Sequence, residues 1–116
     1  MRVTRVWVDE QGESHFEDQQ IELREAGPIG QLSQLIPAKG VIFRRNEPGY
    51  DYDWHTAPQR QFIVLLEGAI EIEVSDGARR TFTGGEVLLM EDTHGKGHRT
   101  RHVKPLERHS LFIVLE

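Results

Sequence analysis

Between residues 61 and 90 the chain reads as four short extended runs separated by glycine turns, and this rhythm limits the fold more than any other feature. Residues 69–74 alternate strictly. Ile70, Ile72 and Val74 share one face and Glu71 and Glu73 the other, the period of two that belongs to a half-buried strand. Ser75-Asp76-Gly77 is a tight hairpin turn, residues 79–82 run back, Gly84-Gly85 turns again, and residues 86–90 form another strand. Residues 61–67 (QFIVLLE) are apolar on both faces: Ile63 and Leu65 lie with Gln61, and Phe62, Val64 and Leu66 lie opposite. A strand of that kind is covered on both sides, as in the wall of a barrel or sandwich.

The flanking chain repeats the pattern. Val3, Val6 and Val8 mark a first strand, residues 9–12 a turn, and residues 20–24 a second strand. Residues 26–39 read as a loop with room for one helical turn. Residues 41–45 begin a strand that Pro48-Gly49 ends, and residues 111–115 close the series with a second run apolar on both faces. No amphipathic helix of ten residues is present. Many short strands with glycine turns predict an all-β fold, a small antiparallel barrel or jelly roll, with Ile63, Leu65, Ile70, Ile72, Val74 and Leu89 buried.

The 116 residues suit one domain, 1–116, with a real core. No apolar run approaches the roughly 18 residues that span a bilayer, so no membrane partner is expected. The first ten residues, MRVTRVWVDE, lack a signal-peptide core, and cysteine is absent, which leaves no disulfides or thiolate metal sites. A cytoplasmic location is the expectation. A net charge of −5 argues against nucleic acid as a partner. The locally basic stretch of Lys96, Arg99, Arg101, Lys104 and Arg108 either attracts an anionic small molecule or is a solvated strand face.

The candidate chemistry lies between Gly49 and Gly68. The chain there reads Gly49-x5-His55-x-Ala57-x3-Gln61-x6-Gly68. Positions 55 and 57 are two apart and share a strand face, and position 61 returns with the same inward direction, so three side chains converge. This frame resembles the first cupin motif, Gly-x5-His-x-His-x3-Glu-x6-Gly, with Ala57 at the second histidine and Gln61 at the glutamate. The second cupin motif, Gly-x5-Pro-x-Gly-x2-His-x3-Asn, is matched from Gly85, with Glu91 at the proline. A strict count puts its histidine at Lys96. A two-residue insertion in the loop 91–97 moves it to His98 and puts the asparagine at His102. His98 is favoured because Gly95 and Gly97 make the loop pliable; Lys96 and His102 stay open.

The resemblance implies a cupin-type antiparallel β-barrel (jelly roll), commonly dimeric, with a pocket at one end. In metal-binding cupins three histidines and one glutamate hold the ion. Carried over, this chain keeps His55, Gln61 and His98, and Ala57 supplies nothing. A neutral amide is a weaker ligand than a carboxylate, so weak or absent binding of Fe, Mn, Ni or Zn is expected, and no cofactor is certain.

Each site residue also has a structural reading: His55 as a hydrogen-bonded barrel histidine, Gln61 as a buried amide satisfied by backbone, Trp54 as packing. The pocket set is His55, Gln61 and His98, joined by Trp54 as a wall and by Arg60 or Lys96 as cations. First among the functions stands binding of a small polar or anionic molecule. A metal-dependent enzyme of dioxygenase, isomerase or lyase type with a depleted ligand set is second, and an interaction module third. A homodimer is expected, because Phe62, Val64, Leu66, Phe112 and Val114 offer more apolar surface than one barrel interior takes up, and the valine-rich N-terminus suits addition to a neighbour's sheet edge.

Overall fold

The alternating run at 69–74 forms a strand flanked on both sides, and the rest of the fold assembles around it. A computed structural model describes residues 1–103 and 106–116, so Lys104 of the basic stretch lies outside the described residues. In chain order the strands are β1 (Arg2–Val8), β2 (Ser14–Gln20), β3 (Arg24–Glu25), β4 (Gln31–Leu32), β5 (Ala38–Asn46), β6 (Tyr52–His55), β7 (Gln61–Leu65), β8 (Ala69–Val74), β9 (Arg79–Thr83), β10 (Val87–Met90), β11 (His98–His102) and β12 (Arg108–Leu115). A 3-10 turn, Gly27–Ile29, sits in the stretch read as a loop with one helical turn. Among the described residues no helix is long and apolar enough to cross a membrane.

Two sheets face each other. The larger runs β2-β1-β10-β7-β12-β5 and the smaller β6-β11-β8-β9; β3 and β4 pair only with each other. Between the large sheets lies the main core, which includes Val6, Ile63, Leu65, Ile70, Ile72, Val74, Phe82, Leu88 and Met90. Burying each of these side chains contributes roughly 1.5–3 kcal/mol before conformational entropy is set against it. The architecture is the cupin-type β jelly roll that the motif frame implies. All six residues expected in the core are buried. Leu89, however, faces away from Leu88 and belongs to a second cluster with Val3 and Leu115 on the outer side of the six-stranded sheet.

Four local expectations are corrected. The second strand is 14–20, not 20–24: Ser14-His-Phe-Glu-Asp-Gln-Gln is too polar to announce itself, and it is extended because all seven residues pair with β1. The antiparallel pattern has an exception, since β1 runs parallel to β10; the long intervening chain supplies the crossover that a parallel pair requires. Phe112 and Val114 do not add to the outer surface. They pair with Ile63 and Gln61 and so point inward, while Leu111 and Ile113 point out. Nor is the valine-rich N-terminal strand available to a neighbour's edge, because β1 lies between β2 and β10 of its own sheet.

One end of the sandwich is clasped by His15. Its Nε2 lies 2.7 Å from Asp9 Oδ2 and its Nδ1 2.8 Å from Asp76 Oδ2, which ties the β1–β2 turn to the β8–β9 turn. The bonds to Asp9 and then Asp76 hold the imidazole above its ordinary pKa of 6.5. Asp9 is held below 3.8, chiefly by its bond from His15. For Asp76, burial pushes upward, and bonds from the Ala78 N–H and His15 outweigh it, leaving a net lowering. The His15 contribution is therefore complete below about pH 6.5 and is lost as pH rises through the raised folded value. The aspartate contributions are present above about pH 3.8 and are lost as pH falls through the lowered values. We expect the stability difference between the wild type and His15→Gln to be largest from roughly pH 4 to 6.5 and to shrink toward pH 8. Urea titrations across that range read it directly, and a pH-independent difference would show that the clasp is not ionic.

Candidate functional site

β6 ends at His55 and β11 begins at His98, and the register pairs these two residues directly. Both side chains turn inward, with ring centroids 4.4 Å apart. His55 Nδ1 is 2.7 Å from the Asp53 carbonyl oxygen, which can only accept, so this nitrogen carries the proton and Nε2 keeps its lone pair. Burial lowers the His55 pKa; the Asp53 carbonyl opposes that and the neighbouring His98 reinforces it. His55 is thus a neutral imidazole near neutral pH.

His98 is anchored from behind. Its Nδ1 lies 2.5 Å from Oδ2 of Asp92, a residue with no exposed surface, and the other carboxylate oxygen of Asp92 has no partner. A carboxylate behind an imidazole fixes its ring orientation. The Asp92 carbonyl in turn accepts from the Ala57 N–H at 3.1 Å, which locks the loop before β11 to the segment after β6. Gln61, the first residue of β7, is buried opposite Met90 and Val114. Ala57 packs into the main core at the position where the motif carries an imidazole.

These elements enclose a cavity of about 310 Å3 between the sheets, lined by His55, Gln61 and His98 together with Arg44, Tyr50, Tyr52, Ile63, Ile72, Thr100 and Phe112 among others. The ring of Tyr52 packs on His55 with centroids 3.8 Å apart. Arg44 donates from Nε to Ser110 Oγ at 3.0 Å, and its guanidinium lies 4.4 Å over the Phe112 ring.

Four residues weighed as site members do not line this cavity. Trp54 precedes His55 on the same strand and so faces the opposite way, where Arg99 covers its ring at 5.3 Å. Arg60 pairs with Glu91 outside. Lys96 pairs with Glu13, and its N–H bonds to the Gly12 carbonyl, so the strict second-motif count points out of the fold and the insertion register points in. His102 lies further along β11, bonded to Asp51 at 3.0 Å. Sequence reasoning missed Arg44, Tyr50 and Tyr52; Asp92, a loop acid that could have swung in as a ligand, instead stands behind His98. The two tyrosines sit within the first motif frame, and their nearness to His55 was the available signal. The inward parity of Arg44 depends on its pairing with Ser110 of β12, which no local pattern reveals.

As metal donors the cavity offers two imidazoles and one neutral amide. Among the described residues no group of three His, Cys, Asp or Glu side chains is placed to hold an ion. The one buried carboxylate nearby, Asp92, faces the back of His98. That donor set does not fit a tightly held transition metal, which calls for a third imidazole or an anionic oxygen.

No family model matches the chain. Over 84 residues, 71% of the chain, it is 29% identical to oryzines biosynthesis cluster protein J of Aspergillus oryzae; the match spans 45% of that protein's length. Among solved structures it is similar to protein NMB1881 from Neisseria meningitidis, with 22% identity, 84% of each chain covered and a TM-score of 0.52. The SPY1581 protein of unknown function from Streptococcus pyogenes aligns over 84% of this chain and 79% of its own, at 17% identity and a TM-score of 0.49. At 22% identity the likeness to the Neisseria protein is one of fold, and that shared fold is the cupin-type jelly roll.

Proposed function

We propose that the protein binds a small polar or anionic molecule in the cavity between its sheets, without a tightly bound metal. The reading rests on one observation: a 310 Å3 cavity whose polar wall groups, the buried His98 and Gln61 and the half-buried His55, are held in place by the strands and loop behind them. Volumes from about 300 Å3 upward accommodate small organic ligands, and a few fixed polar groups in a mainly apolar wall are their usual recognition pattern. The fungal relative named for a biosynthesis cluster supports a small-molecule ligand. A metal-dependent cupin enzyme stands second, because Ala57 and Gln61 replace two of the four ligands that the two motifs together supply.

The test combines elemental analysis with ligand screening. Purified protein is expected to carry iron, manganese, nickel and zinc well below one equivalent, since losing an imidazole and a negative charge removes most of the affinity of such a site. A neutral and charged fragment mixture is expected to shift the His55 and His98 ring resonances. Stoichiometric metal that disappears in His55→Ala would place the enzyme first. Fragments that leave both rings unmoved would remove the cavity as a binding site.

A further inference from the structure

The cavity wall contains one arginine, Arg44, and no Asp or Glu. Arg108 is its diagonal neighbour on the same face, since Arg44 pairs with Ser110 and Arg108 with Asn46. Arg108 is 2% exposed, and among the described residues its Nη2 has no hydrogen-bond partner. Its guanidinium lies 5.3 Å over the ring of Tyr50, which lines the cavity. No salt bridge among the described residues includes Arg44 or Arg108. The acid whose charge reaches Arg108 is Asp51, which is already bonded to His102. At this end of the cavity, among the described residues, two arginines therefore lie close together with no carboxylate paired to either.

We infer that the Arg44 end of the cavity is a carboxylate subsite, with Arg108 adding positive charge from behind Tyr50, and that the molecule bound there is a small organic acid with an apolar or aromatic body. This rests on the cavity being a binding site. Two neighbouring cations without a counter-charge, Arg108 buried and Arg44 half-buried, are costly, and an anion bound at Arg44 offsets that cost. The Arg44 guanidinium lies over the Phe112 ring and spends Nε on Ser110, which leaves its Nη groups for an acceptor such as a carboxylate. Burial pulls both arginines below their ordinary values, and for Arg108 the charge of Arg44 adds to the effect. Phe112 and Tyr52 give the wall on which the body of the acid rests.

The position of Arg108 is itself built into the chain. Gly68 has φ +81°, and a Cβ there would stand 2.4 Å from Arg108 Cγ. The closing glycine of the first motif thus makes room for the stem of the second cation.

The experiment measures calorimetric affinity of the whole chain for acetate, benzoate, phenylacetate and succinate against the corresponding amides. At least one carboxylate is expected to bind roughly tenfold or more tightly than its amide. Arg44→Gln is expected to lower carboxylate affinity until acid and amide bind alike, and Arg44→Lys to keep part of the preference. Far-ultraviolet dichroism checks that each variant is folded. Carboxylates and amides binding equally, or a preference that survives Arg44→Gln, would overturn the subsite and leave cavity binding standing. Absence of binding by every acid and amide would overturn both.

Discussion

Replacing Gly97 with alanine is expected to destabilise the fold by about 2–5 kcal/mol and to displace His55. Gly97 has φ +75°, a backbone region in which an alanine costs roughly 1–2 kcal/mol. The new Cβ would also stand 2.2 Å from the His55 carbonyl oxygen and 2.5 Å from its carbonyl carbon. Those are backbone atoms at the end of β6, so no side-chain rotation relieves the clash, and the strand itself must shift. The shift separates His55 from His98, its cross-strand partner, and opens the polar wall of the cavity. Gly77→Ala is the matched control: φ there is +96°, but nothing lies within 4 Å of the added Cβ. Denaturant midpoints for the two variants, together with the His55 ring resonances, give the answer. A Gly97→Ala loss no larger than that of Gly77→Ala, with the His55 signals unmoved, would show that the close approach does not hold the site.

A second large effect is expected at the outer face of the six-stranded sheet, through which we propose that two copies form a homodimer. Phe43 is 81% exposed and Val41 53% exposed, on the edge strand β5. They pair with Leu111 and Ile113, which pair in turn with Val64 and Phe62, so the apolar surface is continuous across three strands. Residues 21–43 contain no buried residue, although Ile29, Leu32, Leu35 and Ile36 lie among them. A patch of this extent on a monomer is an association surface, and two copies meeting back to back cover it with twofold symmetry. The solution mass is expected to be twice 13.4 kDa. Phe43→Asp, which places a charge at the most exposed large side chain of that strand face, is expected to weaken association about a hundredfold. Light scattering over a concentration series decides it. A wild-type mass of 13.4 kDa throughout would end the proposal.

Periodicity and turn chemistry made most strands legible. The alternation of Ile70, Glu71, Ile72, Glu73 and Val74 and the turn at Ser75-Asp76-Gly77 are local instructions, and the chain follows them. Elements that depend on a partner were not legible. β2 is polar and is extended only because β1 lies beside it. The side taken by Phe112 follows from its register with Ile63, and an apolar run such as 111–115 reads the same in either direction. In the candidate site, the spacing that brings His55 and Gln61 together is written in one motif, and the two-residue insertion carries His98 to them. Arg44 and Arg108 come from strands outside the first motif, and their charges converge only once β5 and β12 pair.

The place of β12 carries a consequence for how the chain is made. It lies inside the larger sheet, between β7 and β5. β5 is synthesised long before β12, yet it has no other neighbour in that sheet to pair with. Until residues 108–115 leave the ribosome, β5 and its exposed Val41 and Phe43 remain an unpaired apolar strand. Closing the sheet requires contacts far apart in sequence, which makes folding slow relative to helical chains of this size. Between the emergence of β5 and that of β12 the nascent chain therefore carries a sticky edge uncovered, the state on which chaperones act.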